Sequence, residues 1–177
     1  YFCGLLPDEC EEGLASALRG EIPATELARM EVRVDGRSVS RRVLNDALFC
    51  HASPAATSRY VVEIAGDTES HKSSGFWIGP AAGSTAAQRS AGGRILPLDS
   101  RDLQFVVREP FSYEGRVRFA RVLVHDGQTL EVQSKMPDGK LFLDGPHVAY
   151  DIGFGGRVTF RRSPEPLHVL GLNGRQR

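Results

Sequence analysis

The chain has 177 residues with 22 basic and 22 acidic side chains, so its formal net charge is zero. A neutral chain gives no electrostatic basis for binding nucleic acid or an anionic membrane, and we expect neither as a partner. No apolar run approaches the roughly 20 residues needed to cross a bilayer, and no charged-then-apolar leader precedes Cys3, which predicts a cytoplasmic protein.

Cysteine and histidine spacing predicts neither a disulfide framework nor a metal site. The three cysteines, Cys3, Cys10 and Cys50, are odd in number and have no Cys-x-x-Cys spacing. None of the five histidines forms a His-x-x-x-His or His/Cys group with the spacing of metal ligands. We therefore expect reduced cysteines and no metal held by this chain.

The first predicted element is a helix near the start of the chain. Asp8 can cap it, Glu11 can complete a capping box, and Gly20 can end it. Its apolar stripe consists of Leu14, Ala17 and Leu18. We expect this stripe to pack on a sheet.

After Pro23 the pattern changes to short β-rich runs separated by Gly and Pro. Residues 27–34 and 37–44 flank Asp35-Gly36, which is typical of a hairpin, and Asp126-Gly127 and Asp138-Gly139 are also expected to join strands. Further strands are expected near residues 60–64, 76–78, 103–108, 117–124, 129–133, 140–143, 148–152, 157–161 and 168–170. Many short strands and few helices predict a mainly β, antiparallel β-sandwich that forms a single domain over residues 1–177.

A glycine-rich block follows the predicted strand at residues 76–78. Gly79, Pro80 and Gly83 end that strand, and Ser84 can be the N-cap of a short helix over residues 85–91. Unpaired N–H groups at a helix N-terminus can receive a phosphate, hydroxyl or base edge where small residues allow a close approach. An ordinary strand–turn–helix joint would show the same pattern, and the block lacks the lysine of a P-loop and the spacing of a dinucleotide fingerprint. The residues alone therefore leave a ligand loop and a structural joint as equal alternatives.

The block resembles the glycine-rich motif of the NAD kinase (ATP-NAD kinase) family, and the similarity extends over nearly the whole chain. Residues that match the family motifs in order are Leu44-Asn45-Asp46, Gly75, Gly83-Ser84-Thr85-Ala86, Ser90-Ala91-Gly92-Gly93, Leu143-Asp144-Gly145 and Arg161-Arg162-Ser163-Pro164. Ser74 stands where the family usually has Asp, and Ala87 stands where many members carry Tyr. The Ser-Ser-Gly-Phe-Trp form is similar to a divergent branch that includes mitochondrial-type enzymes.

The resemblance implies which residues bind a dinucleotide. Asn45 and Asp46 would bind the ribose and base, since Asn offers a donor and an acceptor and Asp offers two acceptors. The other implied substrate-binding residues are Ser74, Gly75, Ala82, Gly83, Ser84, Thr85, Ala86 and Ser90. Among these, Gly83 would permit close approach, Ser84 and Thr85 would offer hydroxyls, and Ser90 would lie one helical turn beyond Ala86. Trp77 is expected to pack in the core.

The resemblance also implies an enzyme. The chain resembles the C-terminal, NAD-binding and oligomer-forming β-sandwich of an enzyme that phosphorylates the adenosine ribose 2′-hydroxyl of NAD with ATP and Mg²⁺, giving NADP. The family's presumed general base lies in a Gly-Gly-Asp-Gly motif of an N-terminal α/β domain, and no Gly-Gly-Asp occurs here. The chain begins at Tyr1 without Met, so we expect part of a longer protein, no catalytic residue in this part, and no activity from it alone. Assembly as a homodimer or homotetramer is expected.

Two other functions remain open at this point. A lipid kinase of the diacylglycerol or sphingosine type is related in fold and would bind an acyl lipid. A non-catalytic sandwich used for assembly or regulation would agree with the Ser74 and Ala87 departures. Binding of NAD separates the NAD kinase hypothesis from both.

Overall fold

The computed structural model describes residues 7–112, 115 and 117–172, and its first helix lies where the sequence predicts one. A 3₁₀ turn over Pro7–Glu9 continues into α1, Cys10–Leu18. The expected cap at Asp8 is wrong, because the residue preceding the helix is Glu9 and it makes no side-chain capping bond. The expected packing on a sheet is also wrong: α1 buries none of its residues, and the side chains of Leu14 and Leu18 are 61% and 81% exposed.

Strands are the main regular structure of the described chain, and there are fourteen of them. They are β1 Ala24–Leu27, β2 Met30–Val34, β3 Arg37–Val43, β4 Ala47–His51, β5 Ser58–Ile64, β6 Asp67–Ser73, β7 Phe76–Gly79, β8 Leu103–Val107, β9 Arg121–Val124, β10 Thr129–Ser134, β11 Gly139–Leu143, β12 Val148–Ile152, β13 Arg157–Arg162 and β14 Leu167–Leu170. Each predicted strand has a counterpart, although the strand expected over residues 27–34 begins at Met30 and the strand expected over residues 117–124 begins at Arg121. The separate strands β1, β4 and β6 were not predicted.

The strands form two six-stranded antiparallel sheets. The first sheet has the order β3-β2-β13-β10-β5-β6, the second has the order β12-β11-β4-β7-β8-β9, and β1 and β14 pair separately. One cluster of buried apolar side chains draws on strands of both sheets. The prediction of a mainly β, antiparallel sandwich with an N-terminal helix is confirmed.

Two-residue turns with left-handed backbone connect two of the hairpins. Asp35-Gly36 joins β2 to β3 at the predicted position, with φ values of 48° and 79°, and places Val34 opposite Arg37. Ala65-Gly66 joins β5 to β6 with φ values of 52° and 86°. This pair of positive φ angles matches the right-handed twist of the flanking strands.

Aromatic rings fill the space between the two sheets. The Phe76 ring lies 5.4 Å from Phe49, 4.8 Å from Phe105 and 5.9 Å from Phe160, measured between centroids. Phe49, Phe76 and Phe105 belong to the second sheet, whereas Phe160 belongs to the first. Because each buried ring contributes about 2 kcal/mol of transfer free energy, this cluster fixes β4 and β7 side by side.

The described helices have no membrane-spanning candidate. None of them combines the length and the apolar character that crossing a bilayer requires.

Candidate functional site

The end of β7 and the glycine-rich block pack directly on the residues that precede β4. A Cβ atom added to Gly83 would lie 1.8 Å from the backbone oxygen of Asn45, and one added to Gly79 would lie 2.2 Å from the same atom. No side chain fits at either position, so glycine is required for this contact. The structure therefore brings Asn45-Asp46 together with the segment from Ala82 to Ala86.

One carboxylate orders the turn that carries Asn45 and Asp46. The Asp144 carboxylate accepts hydrogen bonds from the backbone N–H groups of Leu44 at 2.9 Å, Asn45 at 2.7 Å and Asp46 at 3.3 Å. The Asp144 N–H in turn donates to the Asp46 backbone oxygen at 2.9 Å. Three successive N–H groups around one anion form a backbone nest, which fixes the local conformation. Asp144 follows β11 and has a left-handed φ of 48°.

Two buried glutamines hold the opposite side of the same turn. The Gln88 side chain donates from Nε2 to the Asn45 backbone oxygen at 3.2 Å, and its Oε1 accepts from Gln104 Nε2 at 3.2 Å. Gln104 accepts the Arg94 N–H at 2.6 Å and donates to the Arg94 backbone oxygen at 3.0 Å. Gln88 is 0% exposed and Gln104 is 3% exposed, so this network is dry and holds α2, Ala87–Ser90, against β8.

The predicted capping role of Ser84 is wrong. The block forms a 3₁₀ helix over Ala81–Thr85, and Ala86 interrupts the backbone with φ −102° and ψ −127° before the four-residue α2 begins. Ser84 is completely buried, where its hydroxyl donates to the Ala81 oxygen at 2.7 Å and accepts the Leu96 N–H at 3.0 Å. This hydroxyl holds the loop over residues 91–96 in place, and the dipole of such short helices is small.

Several predicted ligand residues lie at the surface beside this turn. Asn45, Thr85, Ala86 and Ser90 are exposed, and Ala82 is half-buried. The exposed hydroxyl of Thr85 and the amide of Asn45 provide donors and acceptors next to the small side chains of Ala82 and Ala86. The described residues thus present a polar surface whose backbone is fixed from both sides.

Asp46 lies beneath this surface, against an apolar cavity of about 280 Å³. The cavity is lined by Leu48, Trp77, Phe142 and Pro146 as well as Asp46. Asp46 is only 8% exposed, and burial, with a smaller effect of the Asp144 charge, raises the pKa of its carboxyl to about 6. Trp77 does not pack in the core, contrary to expectation, because the neighbouring Phe76 and Ile78 point inward and strand alternation turns Trp77 outward.

Ser74 and Gly75 lie at the other end of β7. Gly75 has a φ of 100°, and a Cβ atom there would lie 2.2 Å from the Phe49 backbone oxygen. The Ser74 hydroxyl donates to the Glu109 carboxylate, beside a second cavity. Four strand residues span roughly 13 Å, so a single chain does not bring Ser74-Gly75 to the Asn45–Gly83 contact. Their role in binding stays a prediction.

Sequence reasoning missed the residues that hold the site. In the sequence, Asp144 stands out only as part of a family motif, and Gln88 and Gln104 carry no local signal of their roles. A signal for Asp144 existed in its Asp-Gly pair, which indicates a turn but does not reveal which backbone the carboxylate binds. Over residues 7–112, 115 and 117–172, no group of three or more His, Cys, Asp or Glu side chains is arranged to hold a metal ion.

Comparison of the sequence with known proteins gives relatives named NADH kinase or NAD kinase. The chain is 34% identical to a probable NADH kinase of Oryza sativa subsp. japonica over 96% of its length, and 29% identical to an NAD kinase of Methanocorpusculum labreanum over 90%. These matches cover 54% and 57% of the two relatives. No family model matches the chain.

Comparison of the structure gives a yeast NADH kinase complexed with NADH, with a TM-score of 0.82 at 15% identity over 95% of this chain and 50% of that one. An NAD kinase from Archaeoglobus fulgidus in complex with ATP has a TM-score of 0.73 at 19% identity, over 96% of this chain and 63% of that one. At these identities the two solved structures show that the fold is shared. The chain spans about half the length of the rice and yeast proteins it matches.

Proposed function

We propose that the chain is the C-terminal, NAD-binding domain of an ATP-dependent NAD kinase, of the divergent branch with a Ser-Ser-Gly-Phe-Trp sequence. The whole enzyme would transfer the γ-phosphate of ATP to the adenosine ribose 2′-hydroxyl of NAD and so form NADP. The observation that carries this proposal is the contact between Gly83 and Asn45. It joins two segments that match separate motifs of the family.

The chain's own contribution is to bind and orient the acceptor. The Asn45 amide can donate to and accept from the ribose or the base, and the Thr85 hydroxyl lies in the block that packs against it. Asp144 and Gln88 fix the Asn45-Asp46 backbone before a ligand arrives, so little conformational entropy is lost on binding. Such preorganisation raises the rate by holding the hydroxyl in line with the phosphate.

The remaining chemistry belongs to parts outside this chain. The general base and most ATP contacts are proposed to lie in an N-terminal domain, and Mg²⁺ would arrive with ATP. The resemblance further supports a homodimer or homotetramer and a cytoplasmic setting, both of which stay predictions. Light scattering on the full-length protein tests the first, and a monomer at micromolar concentration would contradict it.

Calorimetry with NAD tests the proposed binding site. The N45A/T85A double variant of the full-length protein removes two side chains that face the proposed ligand. Since a buried hydrogen bond contributes about 1 kcal/mol, we expect NAD affinity to fall about tenfold or more. Thr68→Ala, an exposed threonine on β6, is the control and should bind NAD like the original protein. Equal affinity in all three proteins would contradict the site, and heat from diacylglycerol but none from NAD would favour a lipid kinase.

A further inference from the structure

Part of the connection between β8 and β9 lies along β6, at the edge of the first sheet. The Glu69 carboxylate on β6 accepts the backbone N–H of Arg118 at 3.0 Å and that of Phe119 at 2.8 Å. The Arg118 guanidinium donates to the Thr68 backbone oxygen at 3.0 Å. Residues 117–119, the edge segment, are therefore fastened to the first sheet, although they lead into β9 of the second.

His71 lies behind this attachment, two residues beyond Glu69 on β6. Its side chain is 1% exposed, its ring is parallel to the Tyr60 ring at 5.2 Å between centroids, and it meets the Phe105 ring edge-on at 6.3 Å. Its Nε2 is 3.1 Å from the Glu69 oxygen that accepts the Phe119 N–H, without the alignment of a hydrogen bond. Among the described residues neither ring nitrogen has a hydrogen-bond partner. Buried polar groups in this state are rare in folded proteins.

These surroundings favour the neutral imidazole over the imidazolium. Burial lowers the pKa of His71, and the Glu69 carboxylate opposes this effect only in part. Burial also raises the pKa of the Tyr60 phenol on β5, which therefore stays neutral. The Phe105 ring on β8 carries no charge. The guanidinium of Arg118 lies on the far side, 3.8 Å from the same Glu69 carboxylate.

The edge segment and a proton on His71 compete for the same groups. In an imidazolium both ring nitrogens donate, so Nε2 needs the Glu69 oxygen that now accepts the Phe119 N–H. Nδ1 has no acceptor among the described residues and needs water. Both needs are met when the edge segment moves away from β6. Because the open form then binds the proton more tightly than the closed form, acid shifts the equilibrium toward opening.

We propose that Glu69 and His71 form an acid-sensitive latch, which holds the edge segment on β6 at neutral pH and releases it when His71 takes up a proton. The latch is closed above 6.5, the ordinary pKa of histidine, and opens progressively as the pH falls below it. Opening uncovers an edge of the first sheet, and an uncovered strand edge can pair with another chain. The latch does not depend on the proposed function.

Hydrogen exchange read by mass spectrometry on the full-length protein tests the latch. After correction for the effect of pH on the chemical exchange step, protection of the Arg118 and Phe119 amides should fall about tenfold between pH 7 and pH 5. Amides of β10, in the centre of the first sheet, should stay protected at both pH values, which separates opening of the latch from global unfolding.

Three variants identify the groups that act. His71→Phe keeps a ring beside Tyr60 but cannot take up a proton, so protection of the edge segment should be the same at pH 7 and pH 5. His168→Phe, the matched control, removes an exposed histidine on β14 and should keep the pH dependence of the original protein. Glu69→Gln should lose most of the protection already at pH 7, because a neutral amide is a weaker acceptor than a carboxylate.

NMR titration of the histidine rings gives a measurement that does not depend on the folding of any variant. His71 of the original protein should titrate below 6.5. Titration at 6.5 or above would overturn the proposal, and so would protection that does not fall with pH or that falls equally in His71→Phe. Unchanged protection in Glu69→Gln would overturn it as well, because the carboxylate would then not hold the edge segment.

Discussion

Asp46 and Asp144 show how two neighbouring carboxyl groups acquire different properties. Asp144 accepts three backbone N–H groups, which compensate its charge. Asp46 lies against an apolar cavity, and its side chain makes no hydrogen bond to the other described residues. The Asp144 carboxylate therefore stabilises the turn, whereas burial makes the ionised form of Asp46 unfavourable in the folded protein.

Asp144→Ala should loosen the turn that carries Asn45. The variant leaves the N–H groups of Leu44, Asn45 and Asp46 without their acceptor, so we expect the free energy of unfolding to fall by about 1–3 kcal/mol. NAD affinity should fall with it, as the turn is no longer preorganised. Urea denaturation and calorimetry measure the two effects. Asp151→Ala is the control, because its ion pair with Lys140 is exposed and contributes little; equal losses in the two variants would contradict this role.

Asp46 should make stability depend on pH in the opposite direction to a salt-bridged acid. Folding raises its pKa from 3.8 to about 6, so between these values the folded state binds the proton more tightly. The contribution of Asp46 to the free energy of unfolding is therefore favourable near pH 4 and is lost as pH rises through about 6.

Asp46→Asn removes this titration. At pH 7 the variant should be more stable than the original protein by up to about 3 kcal/mol, and the difference should vanish near pH 4. Denaturant unfolding at both pH values measures it. A difference that does not change with pH would show that the Asp46 carboxyl is not destabilised by its surroundings.

At the scale of single elements, the hairpin between β5 and β6 contains a locally unfavourable residue. Ala65 has a φ of 52°, a conformation that a side chain with a Cβ atom rarely adopts, and it is exposed. The turn forms nonetheless, because the two strands that it joins, β5 and β6, pair at seven residue positions. Sheet pairing here overrides the preference of one residue.

Ala65→Gly should relieve the strain in this turn. We expect the free energy of unfolding to rise by about 0.5–1 kcal/mol, because glycine adopts the left-handed region without steric cost. Ala55→Gly, at an exposed position without a left-handed φ, should instead lower it slightly through the greater freedom of the unfolded chain. Thermal unfolding of both variants measures the two signs, and a loss of stability in Ala65→Gly would contradict the interpretation.

Alternation of apolar residues made several strands predictable from the sequence. Strands β5, β10 and β13 alternate buried and exposed side chains, so their pattern is clear. Strand β6 escaped prediction because the residues it buries are His71 and Ser73, which are polar. The ends of α1 were nearly right, since they depend on local signals, but whether it packs on a sheet depends on tertiary structure.

In the candidate site, too, some residues could be predicted from the sequence and others could not. Family motifs predicted that Asn45 and Gly83 belong together, and the structure puts them in contact. The residues that clamp them could not be predicted, because Gln88 binds a backbone 43 residues away and Asp144 one about 100 residues away. Side-chain to backbone bonds over such distances leave no periodic pattern in the sequence.

At the scale of the whole molecule, both sheets are assembled from distant parts of the chain. In the first sheet, β2 pairs with β13 and β10 pairs with β5, so its centre needs the last third of the chain. The buried rings of the two sheets then close the sandwich. Such non-local pairing is typical of slowly folding β proteins.

The 177-residue chain alone should bind NAD but make no NADP. Its proposed role is to hold the acceptor, and the Gly-Gly-Asp motif of the presumed base does not occur in its sequence. A coupled assay for NADP, run with ATP and Mg²⁺ on the chain and on the full-length protein, compares the two. Turnover by the chain alone would show that the base lies within it.

The Asp144 bond to the Asn45 turn also has a consequence for protein synthesis. When the glycine-rich block has been synthesised, Asp144, whose carboxylate fixes the Asn45 turn, has not. Strand β11, which precedes Asp144 and pairs with β4, has not been synthesised either. A nascent polypeptide stalled at residue 130 would therefore carry both matched motifs and yet be unable to capture NAD. Competence for the proposed ligand would arrive only once β11, β12 and the later strand β13 have emerged, late in translation.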